Sequence, residues 1–395
     1  MKASDLPCRR DDIPIPETFH RTPNRPLGAL SDFIAEELPR SLENLSNTRI
    51  DELCEEAGKR LIFPNTSRRN PYCSNPFLNP SSYKSYCAFE RANRPTGKKT
   101  LRLALLDLAM LERALLRANR TVPVTLSSLM DKCASPLECG SGLMYEGIIH
   151  ANPLQTDPRV FSAGELGQAE LFFYEVHDRI ERHLARAVQA IRACIPRIPE
   201  SPRRGPIAPT HDAISAIQDG FRSLHEGLDP SEFAEFRDCF SNAHLKRPGP
   251  SALFSAGMYS LDHLLAGEAT GIRQLNTFKH NQSTMFPTTI AKEDGFCGYE
   301  DMKDAKHTSK DYDGLLFHAD YPLHERLELA KKMAHAREMH LRVTKQFLPE
   351  GFNEEGTGDA ESLRDFLQIG IDSYTGIAKI LPLLSSLTPP KAHAH

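Results

Sequence analysis

The chain has 395 residues and lacks most of the features that announce a function at first sight. Its nine cysteines are scattered and never spaced as C-x-x-C, which excludes zinc ribbons and disulfide frameworks and suits a reducing cytoplasm. No window approaches the roughly 20 apolar residues of a membrane-spanning helix. The amino-terminal "MKASDLPCRRDDIPIPETFH" lacks the apolar centre of a secretion signal. Neither sign of charge is in excess: 48 Lys and Arg against 52 Asp and Glu leave a formal charge of −4. With the two signs interspersed, neither nucleic acid nor a membrane surface is expected as a partner, and a specific small molecule is. Strand-like alternation is almost missing, which argues against a sheet-based architecture.

What is present is helical periodicity, and the expected fold class is all-α, a helical bundle with an irregular amino-terminal extension. Residues 1–98 are rich in Pro, Asn, Ser and Arg, as in "FPNTSRRNPYCSNPFLNPSSY", with one clear helical stretch at "LSDFIAEELPRSLENL". They read as an arm that packs on a body rather than as an independent domain. The body, residues 99–388, begins with "TLRLALLDLAMLERALLRANR", where Thr100 stands as a candidate N-cap of a buried helix. A long helix is expected from "AGELGQAELFFYEVHDRIERHLARAVQAIRACI", followed by one between Thr210 and Gly227. Further helices are expected in "DPSEFAEFRDCFS", "PSALFSAGMYSLDHLLAG", "YPLHERLELAKKMAHAREMHLRVTKQFL" and "DAESLRDFLQIGIDSYTGIAKILPLL". Residues 271–320 are polar with weak periodicity and read as a long loop or lid. Residues 389–395 read as a solvated tail.

Four segments hold residues with chemical potential. His340 lies in the last turns of an amphipathic helix, and its nearest rival, His335, is five residues away and points elsewhere at 3.6 residues per turn. A lone imidazole without carboxylate or thiolate partners cannot make a zinc site. It does suffice for heme, which supplies four nitrogens of its own. With no C-x-x-C-H in the chain, such a heme is of the non-covalent b type. In "FFYEVHDRIERH", Phe173 and His177 lie four apart and share a helical face. In "LDPSEFAEFRDCF", Arg237 follows Phe233 and Phe236; a guanidinium is the best bidentate partner for a carboxylate. The loop Gly356-Thr357-Gly358 allows close approach to a ligand and offers one hydroxyl. Taken singly, each segment also has a plain packing explanation.

Together, and in this order, the segments resemble the heme-dependent tryptophan 2,3-dioxygenase and indoleamine 2,3-dioxygenase superfamily, which includes a pyrrolnitrin-pathway enzyme and heme tyrosine hydroxylases. "FYEVHDRIE" is similar to that superfamily's distal Phe-x-x-x-His helix, and "LDPSEFAEFRDCF" to its substrate-carboxylate segment. "SLDHLLAG" resembles the indoleamine-type Phe-Asp-x-Leu-Leu-Gly helix end. "MHLRVTKQFL", the Gly-Thr-Gly loop and "LRDFLQ" resemble the proximal segment. The likeness covers roughly residues 160–385.

The resemblance implies that His340 is the axial ligand of heme iron and that His177 stands on the distal side, with Phe173 against the substrate ring. It further implies that Arg237 binds the substrate carboxylate, that Thr357 meets the substrate ammonium or a heme propionate, and that Gly356 and Gly358 shape the loop at the cofactor. The implied activity is oxidation of an aromatic amino acid, tryptophan or tyrosine in type, or a close derivative, with O2 or H2O2 as co-substrate. Insertion of one oxygen atom and of two both stay open, as does the oligomeric state. Asp359 and Ala360 follow Gly358 where the dioxygenases carry Gly and Ser or Thr. This favours a tailoring enzyme of secondary metabolism over a strict tryptophan dioxygenase. Thr344 stands four residues after the ligand, so the thioether cross-link of some tyrosine hydroxylases, which needs a cysteine, is not expected. The competing classes are a non-catalytic heme sensor or carrier, which needs His340 alone, and a helical interaction protein.

Overall fold

The computed structural model describes residues 9–16, 24–38, 46–61, 96–194, 207–240, 255–267, 286–311, 314–318, 320–348 and 360–387. Among them the fold is all-α, with twelve α-helices and no strand. In chain order these are α1 (Ala29–Asp32), α2 (Asn47–Arg60), α3 (Lys98–Arg117), α4 (Val124–Ala134), α5 (Gly164–Cys194) and α6 (Ala208–Gly227). They continue with α7 (Pro230–Arg237), α8 (Ala256–Ala266), α9 (Thr288–Ala291), α10 (Tyr299–Asp311), α11 (Leu323–Phe347) and α12 (Ala360–Leu387). π-helical turns occupy Phe33–Glu37 and Gly147–Ala151.

α5 is the axis of the body. It carries Leu171, Phe172, Val176, Ile180, Leu184, Val188 and Ile191 at helical spacing, and all are buried. Each such side chain contributes about 1.5–3 kcal/mol when fully buried. α6 lies along α5, α8 crosses it, and α11 joins α6 to α12. Two glycines set the α5–α6 distance. A Cβ on Gly220 would stand 2.6 Å from Ile180 Cγ1, and one on Gly227 would stand 2.8 Å from the Phe172 ring, so only hydrogen fits at either position. The carboxyl end of α6 therefore descends onto the stretch of α5 that carries Phe173 and His177.

The described parts of the amino-terminal segment pack on the body. Leu27, Leu30 and Ile34 are buried, and α2 buries Ile50, Leu53, Cys54 and Ala57. The segment is also tied down by charge: buried Arg159 binds Asp107 at 2.7 Å and Asp157 at 2.6 Å, and donates to the carbonyl of Asn24 at 2.6 Å. Ser31 donates to Asp107 at 2.6 Å, and Arg25 bonds to Asp157.

Four points of the sequence reading need correction. Thr100 is not an N-cap, because α3 begins at Lys98 with Gly97 as its cap, and Thr210 lies inside the first turn of α6. α2 was not expected, since its mean composition is strongly polar; its four buried residues fall on one face. The stretch read as a long loop or lid contains α9, α10 and a 3₁₀ turn at Leu315–Phe317. α10 is mostly charged on its outer face. It is held by buried Met302, Ala305 and Asp301, whose carboxylate receives Arg192 of α5 at 2.6 Å.

Candidate functional site

A cleft opens where α5, α6, α8, α11 and α12 converge. It encloses about 550 Å³ of atom-free space, part of it continuous with solvent. His177 on α5 and His340 on α11 both line it. Ile180 and Leu184 of α5, Phe221 of α6, Met258 of α8 and Phe366 of α12 supply apolar wall. Polar groups enter at Tyr145, Glu181, Ser255, Tyr259, Asp262 and Arg337.

The two imidazoles are held differently. His177 is buried, and its Nδ1 lies 2.8 Å from the carbonyl oxygen of Phe173, one turn earlier. A carbonyl only accepts, so Nδ1 carries the proton. Burial pulls the His177 pKa down to about 4, so the ring is neutral at ordinary pH and its Nε2 offers a lone pair. His340 is stacked on Phe221, with ring centres 4.4 Å apart and planes 15° from parallel. Its Nδ1 is buried without a hydrogen-bond partner. Burial, then the positive charge of Arg337, then His177, pull the His340 pKa down to about 3. The neutral ring is the ligating form of histidine. Thr344 donates its hydroxyl back to the carbonyl of His340 at 2.9 Å.

A buried ion pair stands beside His340. Arg337, one turn earlier on α11, bonds to Asp262 of α8, and Tyr374 of α12 donates to the other oxygen of Asp262 at 2.8 Å. Arg337 Nε has no partner. On the α5 side of the cleft, Tyr145 donates to Glu181 at 3.1 Å, and its ring meets that of His177 edge-on at 6.0 Å.

The chain matches no protein-family model and no curated protein. The site is therefore argued from geometry and residue chemistry.

The residues named from sequence are distributed as follows. His177 and His340, far apart in the chain, share one cleft. Phe173 packs on the His177 ring at 4.1 Å between centres and is bracketed by Phe233 and Phe236 of α7, at 5.5 and 5.7 Å. Arg237 closes that same helix and is half-buried, but neither it nor Phe173 lines the cleft itself. Gly356, Thr357 and Gly358 lie outside the described residues. Sequence reasoning did not single out Tyr145, Glu181, Asp262 or Arg337. A charged residue in a helical repeat reads as solvated surface, and only the buried register of Arg337 and Glu181 on the inward faces of α11 and α5 gives them away.

The donor set bears on which group the cleft could hold. Among the described residues, no cluster of three or more His, Cys, Asp or Glu is able to hold a bare metal ion. A metal that arrives with its own equatorial ligands needs one neutral imidazole, apolar wall and a cation for its carboxylates. His340 and the aliphatic and aromatic lining fit the first two needs, and Arg337, bonded to Asp262, offers only its Nε toward the third.

Proposed function

We propose that the protein is a heme-dependent oxygenase. It holds heme b through His340 and oxidises an aromatic amino acid, tryptophan or tyrosine in type, or a close derivative, with O2 or H2O2. The observation that carries this reading is the meeting of His177 and His340 in one largely apolar cleft. The resemblance named from sequence assigned the same two residues to the two sides of a heme.

The chain's own groups perform separable tasks. His340 presents a neutral, stacked imidazole, and the partnerless Arg337 Nε marks a place for an anionic substituent. When bound, a histidine-ligated heme supplies oxygen activation. His177, its tautomer fixed by the Phe173 carbonyl, accepts an N–H or O–H from an indole or a phenol at Nε2. The resemblance assigns Phe173, packed on His177 and against Phe233 and Phe236, to the substrate ring and Arg237, at the end of α7, to its carboxylate, both from outside the cleft lining. Holding a ring at one end and a carboxylate at the other decides which carbon meets the oxidant.

The test is turnover with isotopically labelled oxygen on tryptophan, tyrosine and their close derivatives, with products identified by mass spectrometry. Incorporation of label into one of them supports the reading. Heme-loaded protein whose spectrum no aromatic amino acid perturbs, and which yields no labelled product, is a carrier or sensor instead.

A further inference from the structure

Glu181 is the least expected group in the cleft. It follows His177 by one helical turn, so both project from the same face of α5, and it is 3% exposed. Its hydrogen-bond partners are hydroxyls: Tyr145 at 3.1 Å and Ser255.

Among the described residues, no cation bonds to it. Its helical neighbour Arg182 turns away to Asp178 at 2.8 Å and to the carbonyl of Asp294 at 2.7 Å. Asp178 on α5 and Glu146 beside Tyr145 are acidic, and across the cleft Arg337 is engaged by Asp262. His177 is neutral. Burial accordingly pushes the Glu181 pKa up to about 7.

The surroundings are built to receive this carboxyl. Ser255 caps α8, accepting from the amide of Met258 at 3.0 Å, while its hydroxyl reaches Glu181. A Cβ on Gly257 would stand 3.2 Å from Glu181 Oε2 and 2.8 Å from Leu184 Cβ, so glycine lets α8 close onto the acid. An uncompensated buried acid is expensive to keep, and such groups concentrate at reacting centres.

We propose that Glu181, in its protonated form, is the proton donor of this cleft, with Tyr145 and Ser255 as its positioning residues. Its carboxyl O–H bond breaks as the proton passes to an oxygen atom of the reacting molecule, where a new O–H bond forms. The electron pair stays on the carboxylate, which the Tyr145 and Ser255 hydroxyls stabilise until solvent returns a proton. No electron changes hands in this step. The proposal rests on the oxygenase reading of the same cleft.

Difference infrared spectroscopy of the full-length protein across pH 5–9 tests the protonation without requiring turnover. One component of the carboxylic-acid carbonyl absorption is expected to disappear with a midpoint near 7 and to be missing from Glu181→Gln, while buried Glu170 and Glu175, also pushed up to about 7, give components that remain. Tyr145→Phe, which keeps the carboxyl and removes one donor to its anion, is expected to move the midpoint upward; it also serves if Glu181→Gln does not fold. In the heme-loaded enzyme, Glu181→Gln is expected to lower kcat by about a hundredfold, with KM and the heme spectrum held, and to abolish the loss of rate above neutral pH. A pH-dependent carbonyl absorption that is the same in the parent, Glu181→Gln and Tyr145→Phe overturns the proposal, as does an unchanged kcat. A protein that takes up no heme but shows the titrating band removes the oxygenase reading and leaves the protonated Glu181 standing.

Discussion

Replacing Asp262 by alanine removes the only acidic side chain bonded to Arg337 among the described residues and leaves a guanidinium that is 1% exposed facing apolar neighbours. Breaking one half of a buried pair costs about 3–5 kcal/mol, because the remaining charge keeps its desolvation penalty without attraction. The loss of the Tyr374 hydroxyl bond adds about 1 kcal/mol. Against a typical total stability of about 5–15 kcal/mol, the single variant forfeits a large fraction. The double variant Asp262→Leu with Arg337→Met removes both charges and restores volume, so it is expected to lie within about 2 kcal/mol of the parent. Urea unfolding of the parent, Asp262→Leu, Arg337→Met and the double variant gives the coupling energy directly. If Asp262→Ala loses less than about 1 kcal/mol, in the range of an exposed pair, the pair beside His340 is hydrated in solution and its burial is overturned.

Three further outcomes follow from the packing. Gly220→Ala gains about 1 kcal/mol of helix propensity. It also forces a methyl to within 2.6 Å of Ile180, so a net loss of about 1–2 kcal/mol is expected by denaturation, along with weakened ligand binding in the adjoining cleft. Asp107→Ala strips Arg159 and Ser31 of a common partner; a loss of about 3–5 kcal/mol and faster proteolysis of the amino-terminal segment are expected, and undisturbed proteolysis would mean that the segment is not anchored there. For pH, His177 is neutral in the fold down to about 4, whereas the unfolded chain protonates it near its ordinary value of about 6.5. Its contribution is therefore complete above that value and is lost as pH falls toward 4, about 3 kcal/mol in all. His177→Phe should flatten this acid limb in calorimetry of the heme-free protein. Glu181 acts in the opposite sense, its contribution being present at low pH and lost as pH rises toward 7.

How much of this was legible in the sequence depended on where the apolar residues sit. α5 and α11 were readable because long runs at helical spacing leave no other solution. α10 was not, since only Met302 and Ala305 of its described side chains are apolar and buried; its burial comes from Asp301 and Arg192, a pairing that exists only after α5 and α10 meet. The two histidines were found through a family likeness and not through periodicity, which gives every lone helical histidine the same ordinary reading. Glu181, Tyr145, Asp262 and Arg337 escaped because they come from separate elements and acquire meaning only by converging. Arg237 shows the converse: its motif is visible, and the fold places it on a helix that reaches His177 through the Phe173 cluster, outside the cleft wall.

The most direct test of the central claim is the heme content of the protein purified from heme-sufficient cells, read from the Soret band and iron analysis, beside that of His340→Ala. Stoichiometric heme in the parent and its loss in the variant, with helical circular dichroism unchanged in both, is the expected result. A parent that carries no heme, or a variant that keeps its full complement, would contradict the assignment of His340 and the function built on it.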